Sequence, residues 1–236
     1  MTNENSFALV TEKTQLFEQE IDTYVSAPRK KDYYQRVFDL LTSEDVKTVL
    51  DVGTASGDFL YFMPDSIRGT GIDKSDELIA IAKKTRAKAN LTFECADILT
   101  FFGTEKFDCV TVLGTMLSFL DFRPLLDFCL SLKPRLIVLN DYFNPHGVDI
   151  QLGSRYANET DKPFYFGYNI VSLQTMQTYL EGKGVAYSFE PYIPQTLLQK
   201  NELHPLYNFH VKLDDELVLT NGTGLTLHGY NLIIHP

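Results

Sequence analysis

Positive charge is scarce in this sequence relative to negative charge. Lysine and arginine total 21 residues and aspartate and glutamate total 31, so the formal net charge is −10. A protein that binds the phosphate backbone of a nucleic acid needs a surplus of lysine and arginine on some face. The charge balance therefore argues against a nucleic-acid partner.

Cysteine is also scarce, and histidine does not cluster with it. The three cysteines, Cys95, Cys109 and Cys129, lie in apolar segments and lack paired spacing. Such thiols are typical of the reduced core of a cytoplasmic protein, so we expect a cytoplasmic location. No Cys/His group has the spacing of a metal site, and we expect no bound metal.

Long apolar runs are missing as well. No run approaches the roughly 18 apolar residues that a membrane-spanning helix needs. The first residues are polar and lack the basic and apolar parts of a signal peptide, so we expect no membrane partner. With 236 residues, 44% of them hydrophobic, the chain can form a large domain with its own core, as a monomer or a homodimer.

Strands and helices alternate through the first two thirds of the chain. The pattern predicts strands at 48–53, 69–73, 91–97, 107–114 and 135–141, with helices at 57–63, 75–89 and 121–132 between them. Continuous apolar strands of this kind indicate an α/β fold, a mostly parallel sheet with helices on both faces. Ligands of such sheets bind at the carboxyl ends of the strands, which here carry polar or glycine residues: Asp51, Gly53, Asp73, Asp97, Gly114 and Asp141.

Two regions flank this core. Residues 1–45 are predicted to form an N-terminal helical cap, and residues 46–236 the main domain. Within that domain, 142–171 is long, aromatic and irregular, which is typical of a functional insertion. After it the pattern predicts a helix at 172–181, a strand at 186–193, a hairpin at 207–220 and a last strand at 225–234. We expect 142–171 and 194–224 to form a lid over the substrate.

The loop after the first strand decides the kind of cofactor. Counted from Gly53, the dinucleotide fingerprint needs small residues at positions 55 and 58. The sequence has Ala55 at the first of these positions and Asp58 at the second. An aspartate at that last position would repel a pyrophosphate, and the Gly-Lys-Ser/Thr ending of a triphosphate loop is absent. Phosphate-bearing cofactors therefore fit poorly.

The same loop, Asp51-Val-Gly-Thr-Ala-Ser-Gly57, resembles the D-x-G-x-G-x-G signature of class I S-adenosylmethionine-dependent methyltransferases, with Ala55 in place of the middle glycine. Four further segments resemble that family in order: Gly71-Ile-Asp-Lys-Ser75, Cys95-Ala-Asp-Ile98, Phe107–Met116 and Phe128–Val138. The last of these lacks the two glycines that follow the proline in the family pattern. The match covers residues 48 to 141.

The resemblance implies a Rossmann-like, seven-stranded sheet whose last strand is antiparallel, and S-adenosyl-L-methionine as cofactor. It assigns the acid after strand two, Asp73, to the ribose hydroxyls, and Asp97 to the adenine amino group. Tyr24 and Arg36 are candidates for the methionine carboxylate. The other expected cofactor contacts are Asp51, Gly53, Thr54, Ala55, Gly57, Lys74, Ile98, Leu113, Gly114 and Met116.

Methyl transfer to a hydroxyl benefits from a nearby base. His146 and Asp141 are the candidates, because both come at or just after the fifth strand and imidazole titrates near neutrality. Aromatic and polar residues of the insertion suit a sugar or a similar polyol. The expected substrate contacts are Tyr142, Asn144, Arg155, Tyr165 and Tyr168.

The chain also resembles, more loosely, small methyltransferases of polysaccharide and sugar-nucleotide biosynthesis. The leading hypothesis is therefore methyl transfer to an oxygen of a small polar acceptor, a sugar or a phosphorylated intermediate of polysaccharide biosynthesis. Two alternatives stay open: methylation of an amine, a protein or a natural product, and a cofactor-binding module without turnover.

Overall fold

A computed structural model describes residues 27–98, 101, 105–154, 166–192, 197–200, 208–213 and 216–236. The helices are α1 (Tyr33–Ser43), α2 (Asp58–Phe62), α3 (Asp76–Thr85), α4 (Arg123–Ser131) and α5 (Leu173–Lys183), with a short 3-10 helix at Met116–Ser118. The strands are β1 (Thr48–Val52), β2 (Arg68–Asp73), β3 (Leu91–Cys95), β4 (Cys109–Leu113), β5 (Leu136–Asn144), β6 (Ile150–Ser154), β7 (Phe166–Ser172), β8 (Ala186–Tyr192), β9 (Phe209–Leu213), β10 (Glu216–Thr220) and β11 (Gly229–His235).

The central sheet has the strand order β3-β2-β1-β4-β5-β11-β8. Strands β1 to β5 pair in parallel, and β11 is antiparallel to both β5 and β8. This confirms the predicted mostly parallel, seven-stranded sheet with an antiparallel last strand. The predicted C-terminal hairpin is also confirmed, as the antiparallel pair β9–β10.

Helices cover both faces of the sheet because successive side chains of each strand point to opposite faces. Val49 of β1 packs into a cluster with residues of α1, α2 and α3, whereas Leu50 packs into a second cluster with residues of α4 and α5. Both residues are fully buried. No helix among the described residues is long and apolar enough to span a membrane.

Side-chain capping fixes two helix starts that the sequence predicts. The Ser75 hydroxyl accepts a hydrogen bond from the Leu78 N–H at 3.3 Å, and the Ser172 hydroxyl accepts one from the Thr175 N–H at 3.0 Å. These bonds satisfy backbone donors that have no partner within the helix. At the other end of α5, Gly184 adopts a left-handed conformation that ends the helix.

The expectation of an irregular insertion at 142–171 is wrong in its described parts. Strand β5 does not end at Asp141 but continues to Asn144, because Phe143 is fully buried and pairs with Val171 of β7. Strands β6 and β7 then form an antiparallel pair. The last strand begins at Gly229 rather than at residue 225. Residues 1–26 of the predicted helical cap lie outside the described residues, as do parts of both expected lid segments.

Candidate cofactor and acceptor site

The loop between β1 and α2 turns sharply at the carboxyl end of the sheet. The N–H groups of Gly53 and Thr54 both donate to the Ile72 carbonyl, at 2.9 and 3.0 Å. Gly53 has a φ of 73°, and a Cβ on it would lie 2.3 Å from the Thr115 hydroxyl oxygen. Only glycine fits there, so the loop after β1 and the loop after β4 approach each other closely.

Ala55 occupies a backbone conformation that glycine usually takes. Its φ is 49°, in the left-handed region, where a side chain costs about 1–2 kcal/mol. Its N–H donates to a carboxylate oxygen of Asp73 at 2.9 Å. The family signature places a glycine at this position, and the backbone here explains why.

Asp51 is a buried carboxylate at the end of β1. It is 3% exposed and accepts a hydrogen bond from the Thr111 hydroxyl of β4 at 2.7 Å. Burial raises the pKa of Asp51 from 3.8 to about 6, although the Thr111 bond opposes that change. The Thr54 hydroxyl next to it is the one buried side-chain polar atom of the described residues that has no hydrogen-bond partner.

Asp73 at the end of β2 joins two loops. One carboxylate oxygen accepts the Ala55 N–H and the other accepts the Ser75 N–H, at 2.9 and 3.0 Å. Burial raises the pKa of Asp73, and these two backbone donors oppose the rise. Each oxygen accepts one bond in this arrangement and keeps capacity for a second donor.

Asp97 and Lys74 continue the row beyond β3. Partial burial lowers the pKa of Lys74, and the carboxylates of Asp97 and Asp73 nearby oppose that effect. Ile98 packs against the core cluster that also holds Ile72 and Val112. The loop edge at β2 and β3 thus carries two carboxylates, an ammonium and an apolar side chain.

Hydrogen bonds with residues of β5 and β7 hold the loop after β4 in place. Gly114 has a φ of 73° and donates its N–H to the Asn140 carbonyl at 2.7 Å. Asp141 accepts the Leu117 N–H at 3.1 Å and its own neighbour's N–H, from Tyr142, at 2.9 Å. Asn169 of β7 donates to the Phe119 carbonyl at 2.6 Å. Asp141 therefore anchors the segment that comes after Leu113. This segment carries Met116, whose side chain is fully buried.

A cavity of about 390 Å³ lies beyond the carboxyl end of β5. It is lined by Phe143, Asn144, His146, Ile150, Ile170, Thr226 and His228. The rings of His146 and His228 meet edge to face, with centroids 6.0 Å apart. Nothing local in the sequence indicates this pairing, because His146 follows β5 and His228 precedes β11.

Asn144 organises the turn that carries His146. Its side-chain oxygen accepts the His146 N–H at 3.0 Å, and its amide donates to the Val148 carbonyl at 2.7 Å. Tyr142, two residues earlier, accepts a hydrogen bond on its hydroxyl from Asn208 at 2.7 Å. The side-chain oxygen and the side-chain amino group of Asn144 are both hydrogen-bonded within the turn. Asn144 therefore positions His146.

Arg36, a candidate for the methionine carboxylate, pairs with an acidic side chain of the sheet. Its guanidinium pairs with both carboxylate oxygens of Glu190 on β8, at the opposite edge of the sheet from β3. Tyr24, Arg155 and Tyr165 lie outside the described residues, as does the side chain of Tyr168. Among the described residues, no group of three histidine, cysteine, aspartate or glutamate side chains could hold a metal.

Asp58 is likewise engaged elsewhere. Its carboxylate accepts the Arg86 guanidinium at 2.7 Å, and the Arg86 side chain is 2% exposed. The acid that rules out a dinucleotide match therefore serves to pair a buried arginine of the core.

Lys31, a neighbour of Tyr33 ahead of the cofactor loop, was missed as a residue close to the site. Tyr33 is buried in α1, and burial raises its pKa, with smaller contributions from Asp51 and Asp141. The Lys31 ammonium lies 5.7 Å from the centre of the Tyr33 ring and lowers the pKa of Asp51. The basic run Arg29-Lys-Lys31 within the predicted N-terminal helical cap was the available signal.

Comparison with known proteins agrees with this geometry. Residues 49–132 match the family model of a methyltransferase domain, which spans β1 to the end of α4. These residues are therefore similar to a methyltransferase domain, and the described sheet has the Rossmann-like fold of the solved methyltransferases that follow. No curated protein matches the sequence.

Solved structures share the fold at low sequence identity. DhpI, solved as a complex with S-adenosylmethionine and HEP, has a TM-score of 0.59 and 14% identity, covering 100% of both chains. The N-terminal domain of EvdMO1, solved with S-adenosylhomocysteine, has a TM-score of 0.57 and 13% identity over 86% of this chain and 81% of that one. The N-methyltransferase NodS from Bradyrhizobium japonicum, also solved with S-adenosylhomocysteine, has a TM-score of 0.53 and 14% identity, covering 92% and 96%.

Proposed function

We propose that this protein is an S-adenosylmethionine-dependent methyltransferase acting on an oxygen of a small polar acceptor. The observation that carries the proposal is the arrangement of Asp51, Asp73 and Asp97 at the ends of neighbouring parallel strands, around a glycine-containing loop. Solved relatives of the same fold bind S-adenosylmethionine or its demethylated product. The match of residues 49–132 to a methyltransferase domain supports the same conclusion.

The residues present fit this cofactor. Asp51 is a buried carboxylate whose ionised form is destabilised, so a ligand that brings positive charge to it regains that energy. Asp73 has an open acceptor position on each oxygen for the two ribose hydroxyls, and Asp97 would accept from the adenine amino group. Thr54, Lys74, Ile98, Leu113, Gly114 and Met116 are proposed to complete the pocket.

The cofactor supplies an electrophilic methyl group on a sulfonium. The residues of the chain would align the acceptor hydroxyl with that methyl group and pass the hydroxyl proton to a base or to water. His146 and Asp141 are the proposed candidates for that base. Since both oxygens of Asp141 accept backbone N–H groups, its geometry favours an anchoring role.

The acceptor site is proposed to lie between Asp141 and the cavity at His146, with Tyr142 and Asn144 along its wall. A sugar or a phosphorylated intermediate of polysaccharide biosynthesis is the proposed class. The EvdMO1 domain was also crystallised in the presence of S-adenosylhomocysteine and D-fucose, which supports a sugar. Amine methylation is kept as a second candidate because NodS is an N-methyltransferase. We place the reaction in the cytoplasm, in keeping with three free cysteines.

The proposal is tested by measuring release of S-adenosylhomocysteine from S-adenosylmethionine with a panel of sugars, sugar phosphates and amines. Turnover with a hydroxyl acceptor supports oxygen transfer, and turnover with amines alone contradicts it. Tight cofactor binding without any turnover would identify a binding module instead of an enzyme. The variants His146→Ala and Asp141→Asn should lower turnover while cofactor affinity is kept.

A further inference from the structure

The cavity beyond β5 brings two imidazoles together without a carboxylate. His146 comes from the turn after β5, and His228 comes from the residue before β11. The backbone N–H of Phe143 donates to the His228 carbonyl at 3.0 Å, which fixes His228 against β5. None of the described residues that line the cavity is an aspartate or a glutamate.

The carboxylates of Asp149 and Asp141, on neighbouring elements, accept hydrogen bonds from other groups. Asp149, on the same turn as His146, accepts the Ser172 N–H at 2.6 Å and the Thr175 hydroxyl at 2.9 Å. Asp141 on β5 accepts backbone N–H groups of residues 117 and 142. Burial, followed by the neighbouring His146, lowers the pKa of His228, and no carboxylate contributes to that change.

We propose that this cavity binds an anionic group, a phosphate monoester on the methyl acceptor, in contact with both His146 and His228. The two imidazoles act as hydrogen-bond donors when protonated, and an anion in contact with both offsets their mutual repulsion. The Thr226 hydroxyl lines the same cavity and adds a neutral donor. The apolar walls, Phe143, Ile150 and Ile170, reduce competition from water for these bonds.

The position of the cavity suits this role. Asp141 lies beside the loop after β4, and Asn144 lies three residues further along the same extended strand. Three residues of a strand span about 10 Å, comparable to a phosphorylated sugar. A hydroxyl at the cofactor end and a phosphate in the cavity could therefore belong to one acceptor. Only this identification of the anion as part of the acceptor rests on the proposed function.

The pH dependence of turnover distinguishes an anion contact at His146 from the other candidate role of this residue, that of a base. A catalytic base must be neutral to accept a proton. If His146 is the base, activity should be lost at low pH, and the loss should appear in kcat. If the protonated imidazole of His146 instead contacts the anion, it should lose this contact as the pH rises. KM for the phosphorylated acceptor should then rise with pH while kcat stays unchanged. Asn144 is the positioning residue for His146, because it accepts the His146 N–H within the turn.

The direct test is titration of the full chain with inorganic phosphate, following the imidazole resonances by NMR at about pH 6 and about pH 8. The signals of His146 and His228 should shift together toward the protonated form, saturably, and more strongly at the lower pH. The variant His228→Gln should weaken phosphate binding by at least about tenfold. His235→Gln, at the exposed end of β11, is the matched control and should bind phosphate as the parent does.

Two results would overturn the inference. One is the absence of saturable shifts at millimolar phosphate. The other is a shift that requires Zn²⁺ or Ni²⁺ and disappears with a chelator, which would make the pair a metal site. A separate calorimetric titration with S-adenosylmethionine tests the proposed function independently. Phosphate binding without cofactor binding would contradict the proposed function and leave the anion site standing.

Discussion

Asp51 shows how one residue can reduce stability in favour of binding. Its pKa rises from 3.8 to about 6 on folding, mainly through burial, so the folded state holds the proton more tightly than the unfolded state. The contribution of Asp51 to the stability of the chain should therefore fall as pH rises from about 4 to about 6. A difference of roughly two pKa units corresponds to about 3 kcal/mol.

Asp51→Asn should remove this loss, because asparagine is neutral and its oxygen can still accept from Thr111. Without ligand, the variant should match the parent near pH 4 and exceed it by up to about 3 kcal/mol near neutral pH. Chemical denaturation at the two pH values measures this difference. Asp39→Asn, on the exposed side of α1, is the control, and a parallel pH dependence for parent and Asp51→Asn would contradict the assignment.

Ala55 carries backbone strain that glycine would relieve. Replacing it with glycine removes about 1–2 kcal/mol of left-handed strain and adds about 0.4–1 kcal/mol of unfolded-state entropy. Ala55→Gly should therefore stabilise the chain by about 0.5 kcal/mol and leave the hydrogen bond to Asp73 in place. Thermal unfolding gives the test.

Lys133→Gly is the matched control for that substitution, because Lys133 has a φ of 51° outside the cofactor loop. It should give a similar stabilisation with no change in S-adenosylmethionine affinity. Destabilisation in both variants would show that neither side chain is strained.

At the scale of elements, α2 and α3 are joined by the ion pair of Asp58 and Arg86. Because the Arg86 side chain is 2% exposed, removal of the Asp58 carboxylate weakens the compensation of a buried positive charge. Asp58→Asn should lower the free energy of unfolding by about 3 kcal/mol.

The double variant Asp58→Asn/Arg86→Met separates pairing from packing. It removes both charges, so it should recover part of the loss seen in Asp58→Asn. Urea unfolding of the parent and the two variants gives the comparison. Equal destabilisation in both variants would mean that the charge of Arg86 is not the cause.

The elements also show what a sequence can predict. The strands β1, β4 and β5 follow from continuous apolar runs, and the Ser75 cap follows from its position before α3. The strands β6 and β7 were missed, because an edge pair packed at the end of another strand lacks a regular alternation of apolar residues. The pairing of Arg36 with Glu190 joins residues 154 positions apart, and nothing local in the sequence indicates it.

Across the whole molecule, the β9–β10 hairpin packs on the extension of β5 through a small cluster of Ile170, Leu219 and Leu227. The hydrogen bond from Asn208 to the Tyr142 hydroxyl adds a polar tie. A small cluster of this kind gives the hairpin less local stability than the parallel core.

Tyr142→Phe should therefore loosen the hairpin selectively. Loss of one hydrogen bond worth about 1 kcal/mol should speed amide exchange of β9 and β10 by about fivefold, with β1 and β4 unchanged. Hydrogen exchange followed by mass spectrometry measures both regions at once. Equal acceleration in β1 and β4 would show that the hairpin opens only with the whole domain.

The central claim is that the carboxyl ends of β1, β2 and β3 bind S-adenosylmethionine. Calorimetric titration of the full chain with S-adenosylmethionine and with S-adenosylhomocysteine tests it most directly. We predict saturable binding of both, weakened at least about tenfold in Asp73→Ala and unchanged in the surface variant Asp127→Ala. Absence of binding at millimolar ligand, or unchanged affinity in Asp73→Ala, would contradict the account.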